Sequence, residues 1–338
     1  MNETKIRWGI LGCGRIAKKF AADLRLVEDA ELTAVASRNK ETAELFAKDF
    51  PCKHVHDNYE LLATNKDVDV IYVATPHSHH HEHGLLCLKN NKAVLCEKAF
   101  AINRRQAKEM IAIARGKKVF LMEALWTKFL PHYKKLQEIL EQKILGDIKS
   151  VLVNFGFKVL PNAPQRLFDP AFGGGTLLDI GIYNVFMAMS VLGKPDSIEA
   201  TMVPAVTGID EQLSVLFKYN NGAMAQLFSS FTTNLPTQAE INGTEGCITL
   251  TTRFYEPSAT IQLYKQVSGE RQIIPVEKEG GFGYQYEARH VNECLKKGLI
   301  ETVSSCFSIE ANSDLKELVI KLLNLFSIKD FTFFRTPS

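Results

Sequence analysis

Glu97 and Lys98 stand together in VLCEKAF (94–100), where an apolar, strand-like run ends in two charges and turns apolar again. Charged side chains are rarely buried unless paired. A lysine at the carboxyl end of a strand in an open α/β sheet sits where ligands bind. Partial burial there suits Lys98 to give or take a proton, and Glu97 to brace it or touch a cofactor. On these two residues alone, an ion pair closing a strand explains the stretch equally well. A second set tips the balance. GGGTLLDIGIYN (173–184) carries Asp179 and Tyr183 at i, i+4, on one face of a helix. There a carboxylate can orient a substrate hydroxyl while a phenol supports proton transfer.

A third set handles phosphates. The run IRWGIL (6–11) leads into Gly12-Cys13-Gly14-Arg15-Ile16-Ala17, a G-x-G-x-x-A turn opening a helix. The first glycine permits a tight turn, the second lets the backbone approach a pyrophosphate, and the small third residue allows close helix–strand packing. The N–H groups at the helix start then face the phosphates. The next strand ends in Ala36-Ser37-Arg38-Asn39, with no acidic residue to bond a ribose 2′-hydroxyl. Ser37 and Arg38 suit a 2′-phosphate, so NADP is expected over NAD, with NAD still possible.

Thr75-Pro76-His77-Ser78-His79-His80-His81-Glu82-His83 places five histidines in seven positions. His79 and His83 lie one helical turn apart, a metal-binding spacing. Against that, the segment is not H-E-x-x-H, it falls where cofactor contacts are expected, and no Cys or carboxylate cluster elsewhere completes a ligand set. The expectation is therefore that Thr75, Pro76 and His77 line a cofactor crevice and that Ser78 caps the following helix. No metal is assigned.

These groups must be held by a framework. Through residue 124, short apolar strands (6–11, 31–37, 54–56, 67–75, 92–98, 118–124) alternate with helices (16–26, 40–49, 79–89, 103–115). That pattern predicts a parallel sheet covered on both faces. Beyond it come a helix over 131–142, a long alternating strand over 148–159, a helix over 175–192, and antiparallel strands from about 198. Asn221-Gly222 joins 213–219 to 223–231 as a hairpin, and 237–252 forms a second. Helices are expected over 286–297 and 309–325. The fold class is α/β: a dinucleotide-binding domain over 1–124, and a domain over 125–338 with a large, open, mainly antiparallel sheet. At roughly 150 residues per domain, 338 residues suit two.

Net charge is +2, which gives no basic field for nucleic acid, and no apolar run reads as a membrane span. The seven cysteines are scattered without C-x-x-C, and the first residues lack the apolar core of a signal peptide. Reduced thiols and a cytoplasmic location are expected.

Taken together, GILGCGRIA, CEKAF and the glycine-rich D-x-G-x-Y helix resemble the Gfo/Idh/MocA oxidoreductases over essentially the whole chain. MEALWTKFLP (122–131) and RLFDPAFGGGTLLDIGIY (166–183) resemble the dihydrodiol and D-xylose dehydrogenase branch. The resemblance implies that Lys98 is the lysine of the family's E-K-P motif. Asp179 and Tyr183 would match its D-x-G-x-H motif, with tyrosine for histidine as in that branch. Trp126 would wall the pocket beside the nicotinamide, and Phe155 and Phe157 are candidates for an apolar wall. Ala99 replaces the family's proline, which leaves the Lys98–Ala99 peptide geometry open. The implied activity is hydride transfer between NADP and a ring hydroxyl, on a trans-dihydrodiol or an aldose such as D-xylose. Lys98 and Tyr183 would move the proton and Asp179 would orient the group. The alternatives are another sugar or inositol dehydrogenase, or a non-catalytic dinucleotide sensor. A homodimer through the open sheet is implied, because its second face needs covering.

Overall fold

The computed structural model describes residues 5–160 and 165–300. The helix expected over 309–325, and Cys306, lie outside them. Two sheets organise the chain. The first has six parallel strands: β1 (Ile6–Leu11), β2 (Ala30–Ala36), β3 (His54–His56), β4 (Val70–Val73), β5 (Ala93–Glu97) and β6 (Leu121–Ala124). Their order is β3-β2-β1-β4-β5-β6. Successive side chains point to opposite faces, so these strands feed two cores. Trp8, Ile10, Val35, Tyr72 and Leu95 join one, and Leu11, Ala34, Ile71, Val73, Val94 and Cys96 join the other. Such double burial is what near-continuous apolar strands require. Helices α1 (Arg15–Leu24), α2 (Lys40–Asp49), α3 (Tyr59–Thr64), α4 (His80–Lys89) and α5 (Arg104–Lys117) connect them. Asn39, Asn58 and Asn103 cap α2, α3 and α5, each accepting a backbone N–H. The sequence reading omits α3. It has six residues, too few for a periodic signal, and Asn58 is its only marker.

After α6 (Pro131–Glu141), the second sheet begins with β7 (Ile148–Gly156). Helix α7 (Ile182–Leu192) precedes β8 (Ser197–Pro204), β9 (Asp210–Lys218), β10 (Met224–Ser230), β11 (Ala239–Gly243), β12 (Gly246–Thr251), β13 (Thr260–Lys265) and β14 (Arg271–Ile274). The order is β14-β13-β12-β11-β7-β10-β9-β8. Both expected hairpins, β9–β10 and β11–β12, form antiparallel pairs, while β7 pairs with β10 in parallel. Along β7 and β9 burial alternates, and α7 covers the buried face. The length of the apolar run that includes α7 corrects one expectation. Pro170–Leu192 is apolar and long enough for a membrane span, but 78% of its most apolar window is buried within the protein. The run serves as a core element.

The chain then returns to the first sheet. Helix α8 (Tyr284–Lys296) packs on α1. The Asp23 carboxylate accepts N–H bonds from Phe282 and Tyr284 at the start of α8, a favourable place for an anion. The Trp8 indole donates to Asn292 Oδ1 at 3.0 Å. The six described cysteines are unbridged.

Candidate active site

The order of the first sheet reverses between β1 and β4, and ligand crevices open at such points beyond the strand ends. Gly12 and Thr75 meet there. Gly12 has φ +97°, and a Cβ on it would lie 3.0 Å from Thr75 Cγ2 and 3.1 Å from the Ala74 carbonyl oxygen. Gly14 caps α1 without a side chain, and a Cβ on it would meet nothing within 4 Å. The first-turn N–H groups therefore have no capping side chain and no side-chain bulk beside Gly14, with exposed Arg15 and half-buried Ile16 following. This is a cradle that fits a dinucleotide pyrophosphate. At the end of β2, buried Ser37 accepts from the Asn39 N–H at 3.3 Å through Oγ. Arg38 is exposed. No carboxylate lies at 36–39, so the local charge suits a 2′-phosphate.

The loop after β4 ties this end to the reacting end. Pro76 begins a 3₁₀ turn over His77–His79. Ser78 does not cap α4. His79 occupies that position, and Ser78 Oγ is buried without a partner, because the 3₁₀ turn shifts the helix start. His77 is turned toward the second half of the chain, its Nδ1 3.0 Å from the Gly173 carbonyl oxygen. Burial, then the nearby Lys98 charge, push its pKa down to about 3. A neutral ring donates through Nδ1–H. His80 bridges the carbonyls of Ala99 and Thr75, both at 2.7 Å. Burial lowers its pKa to about 4 while the two carbonyls raise it, and a neutral ring donates to only one of them.

At the reacting end Glu97 and Lys98 part company, since adjacent residues at a strand end face opposite ways. The Tyr72 phenol donates to Glu97 Oε1, and Glu97 Oε2 accepts from the Lys98 main-chain N–H at 3.2 Å. Burial raises the Glu97 carboxyl to about 7. The Lys98–Ala99 peptide is cis. The Lys98 ammonium donates to the Asp179 main-chain oxygen at 2.7 Å and lies 3.5 Å from Asp179 Oδ1. It also sits 5.3 Å from the centre of the Tyr183 ring. Burial opposes the Asp179 charge, but Lys98 and then Arg166, at 3.3 Å, outweigh it and lower the carboxyl to about 2.

The helix carrying these groups starts with a wide π-turn over Leu177–Gly181 before α7. Such turns concentrate at functional sites. Here Asp179, inside the π-turn, and Tyr183, in the first turn of α7, both reach Lys98. Burial raises the Tyr183 pKa well above the usual phenol range, so it stays protonated. A protonated phenol keeps an O–H to donate. Trp126 stacks on Tyr284 at 4.7 Å. Phe155 stacks on Tyr255 at 4.4 Å, and Tyr255 lies 4.9 Å from Tyr183. Phe157, two residues on, shares the face of Phe155 and packs on Phe231.

Arg166, Tyr72, Tyr255 and Tyr284 were not singled out from sequence. Arg166 stands in a quoted stretch without a spacing that ties it to Asp179. Tyr255 and Tyr284 enter from loop and helix starts far along the chain, brought in only by the tertiary fold.

Residues 6–125 match the family model described as "Oxidoreductase family, NAD-binding Rossmann fold", and 133–249 match "GFO/IDH/MocA C-terminal domain". The chain belongs to the GFO/IDH/MocA family of NAD(P)-dependent oxidoreductases. It is 38% identical over 302 residues to trans-1,2-dihydrobenzene-1,2-diol dehydrogenase of Xenopus tropicalis (88% of this chain, 91% of that one). To the protein of that name in Homo sapiens it is 36% identical over 332 residues (95% and 97%). Among solved structures, a 3-ketoreductase from Actinomadura kijaniata in complex with NADP and TDP-benzene superposes with TM-score 0.81 at 25% identity (94% of this chain, 96% of that one). The aldose-aldose oxidoreductase of Caulobacter crescentus superposes with TM-score 0.85 at 21% identity (96% and 97%), a likeness of fold.

Proposed function

We propose that the protein interconverts a secondary alcohol and a carbonyl on a ring substrate, a trans-dihydrodiol or an aldose, with NADP preferred over NAD. The observation that carries this reading is the convergence of Lys98, Asp179 and Tyr183 beside an aromatic wall at the mouth of a dinucleotide cradle. When bound, the nicotinamide dinucleotide supplies the hydride donor or acceptor. Gly12, Gly14, Arg15 and Ile16 hold its pyrophosphate, and Ser37 and Arg38 its 2′-phosphate. Thr75, Pro76, His77, Glu97 and Trp126 line the remainder.

Lys98 moves the proton. Its ammonium is anchored on Asp179 and would face the substrate oxygen. In reduction it donates to that oxygen, and in oxidation the neutral amine accepts the hydroxyl proton. Tyr183, held protonated by burial, donates a second hydrogen bond to the same oxygen and steadies its developing charge. Asp179 fixes Lys98 and orients a neighbouring hydroxyl. Trp126, Phe155 and Tyr255 present apolar faces to a flat-sided ring. The names of the dihydrodiol dehydrogenase relatives favour the diol over the aldose.

Steady-state assays with NADP and NAD against a trans-dihydrodiol, D-xylose, D-glucose and myo-inositol test this reading. Turnover of the diol with a lower KM for NADP is the expected result. Tight NADP binding without turnover of any member would support the sensor alternative.

We extend the proposal to a two-fold dimer through the outer face of the second sheet, where Leu152 and Met224 are 39% and 48% exposed. Light scattering should give twice the chain mass, and a double Leu152→Glu, Met224→Glu variant the single mass.

A further inference from the structure

One of the three points against a metal is that no Cys or carboxylate cluster elsewhere completes a ligand set, and Glu82 of the same segment is a third donor. Among the described residues, His79, Glu82 and His83 each offer a ligand atom within 4.8 Å of the others. They lie at the N-cap and on the first turn of α4, outside the Lys98–Asp179–Tyr183 cluster. Their pattern is H-x-x-E-H, the reverse of H-E-x-x-H, and it places two imidazoles and a carboxylate on one helical face.

We propose that His79, Glu82 and His83 bind a transition-metal dication of the Zn²⁺ class on the rim of the cofactor crevice. The two histidine rings lie 24° from parallel with centres 5.5 Å apart. His79 Nδ1 is 3.9 Å from Glu82 Oε2. Tetrahedral zinc, with ligands at about 2.0–2.1 Å, holds ligand atoms roughly 3.4 Å apart. His79 and Glu82, 31% and 76% exposed, have room to close that gap. His83 is already fixed. It is 8% exposed, packs edge-on against Tyr59 at 4.7 Å, and has Nδ1 3.0 Å from Thr75 Oγ1. With Nδ1 engaged by Thr75, Nε2 is the nitrogen left for the metal when Nδ1 carries the proton. Nitrogen and carboxylate donors suit Zn²⁺, Ni²⁺ or Cu²⁺ over Mg²⁺ or Ca²⁺. The positive end of α4 opposes a cation, and the Glu82 charge offsets it.

The site touches the cofactor machinery through Thr75, which contacts His83 and lies against Gly12.

The test is calorimetric titration of chelator-stripped, full-length protein with Zn²⁺ alone, without nucleotide, so that its outcome does not depend on the redox reading. One Zn²⁺ per chain should bind. His79→Gln should weaken it by at least about tenfold, and Glu82→Gln should weaken it less. His81→Gln should leave it within about twofold, because His81 faces Glu109, at 2.9 Å. Circular dichroism checks that each variant folds. No saturable binding, equal affinity in the wild type and His79→Gln, or an equal loss in His81→Gln would overturn the proposal.

Discussion

The two ends of the crevice are built from different materials. At the cradle, the Gly12–Gly14 turn offers mainly backbone: a glycine at φ +97°, another with open space beside it, and uncapped N–H groups of α1. Around Lys98, the proposed reacting groups are side chains drawn from the end of β5, the π-turn, α7, the residues after β6 and a distant loop. They are held by a partly buried ion pair and stacked rings. A backbone cradle tolerates much change so long as its conformation survives. A side-chain cluster with few substitutes fails when one member goes. Damage at the first end should therefore register in binding or folding, and damage at the second in the chemical step.

The largest effect should come from Lys98→Met. Loss of the proton carrier should lower kcat by about 10²–10⁴-fold, with NADP affinity, read by fluorescence titration, within about twofold of wild type. Tyr183→Phe keeps the ring under Lys98 and removes only the donor, so kcat should fall by about 10²-fold. A loss confined to KM would move Tyr183 from the reaction to substrate binding.

The two glycines sharpen the comparison within the cradle. Gly12→Ala forces a Cβ against Thr75 and the Ala74 carbonyl at positive φ, and should cost about 1–2 kcal/mol of stability in denaturant unfolding. Gly14→Ala meets nothing. It should leave unfolding unchanged and weaken NADP by about tenfold, or ~1.4 kcal/mol. Equal behaviour of the two variants would break the distinction between conformation and access.

The smallest effect belongs to Glu97. Its carboxyl is raised by burial to about 7 from an ordinary 4.5, so the folded protein holds a proton there more tightly than the unfolded chain does. That contribution is full below about pH 4.5 and is lost as pH rises through 7. Relative to Glu97→Gln, the wild type should lose on the order of 2–4 °C in Tm between pH 5 and 8. Asp179 has the opposite sign. Lowered to about 2, it contributes above pH 3.8 and is lost only as pH falls through 2, outside that range.

The same contrast explains what could be read from sequence. The cradle is local: strand, G-x-G-x-x-A and helix occupy consecutive residues, and the missing acid after β2 is visible at 36–39. Lys98 and the Asp179/Tyr183 pair were legible as types at a spacing. Their partners were not. Glu97 looked like the mate of Lys98, yet strand alternation sends it to Tyr72, and Asp179 takes its place. Arg166 and Tyr255 reach the cluster through tertiary contacts with no sequence period. Ser78 failed as a cap because a 3₁₀ turn moved the start of α4.

The most direct test of the central claim is a single-turnover measurement of NADPH formation. Enzyme in excess is mixed with NADP and a trans-dihydrodiol, comparing wild type with Lys98→Met at matched nucleotide saturation. A burst in the wild type that slows by about 10²-fold or more in the variant, with unchanged nucleotide binding, is the predicted result. A variant that turns over at a rate near wild type would contradict the claim that Lys98 carries the proton.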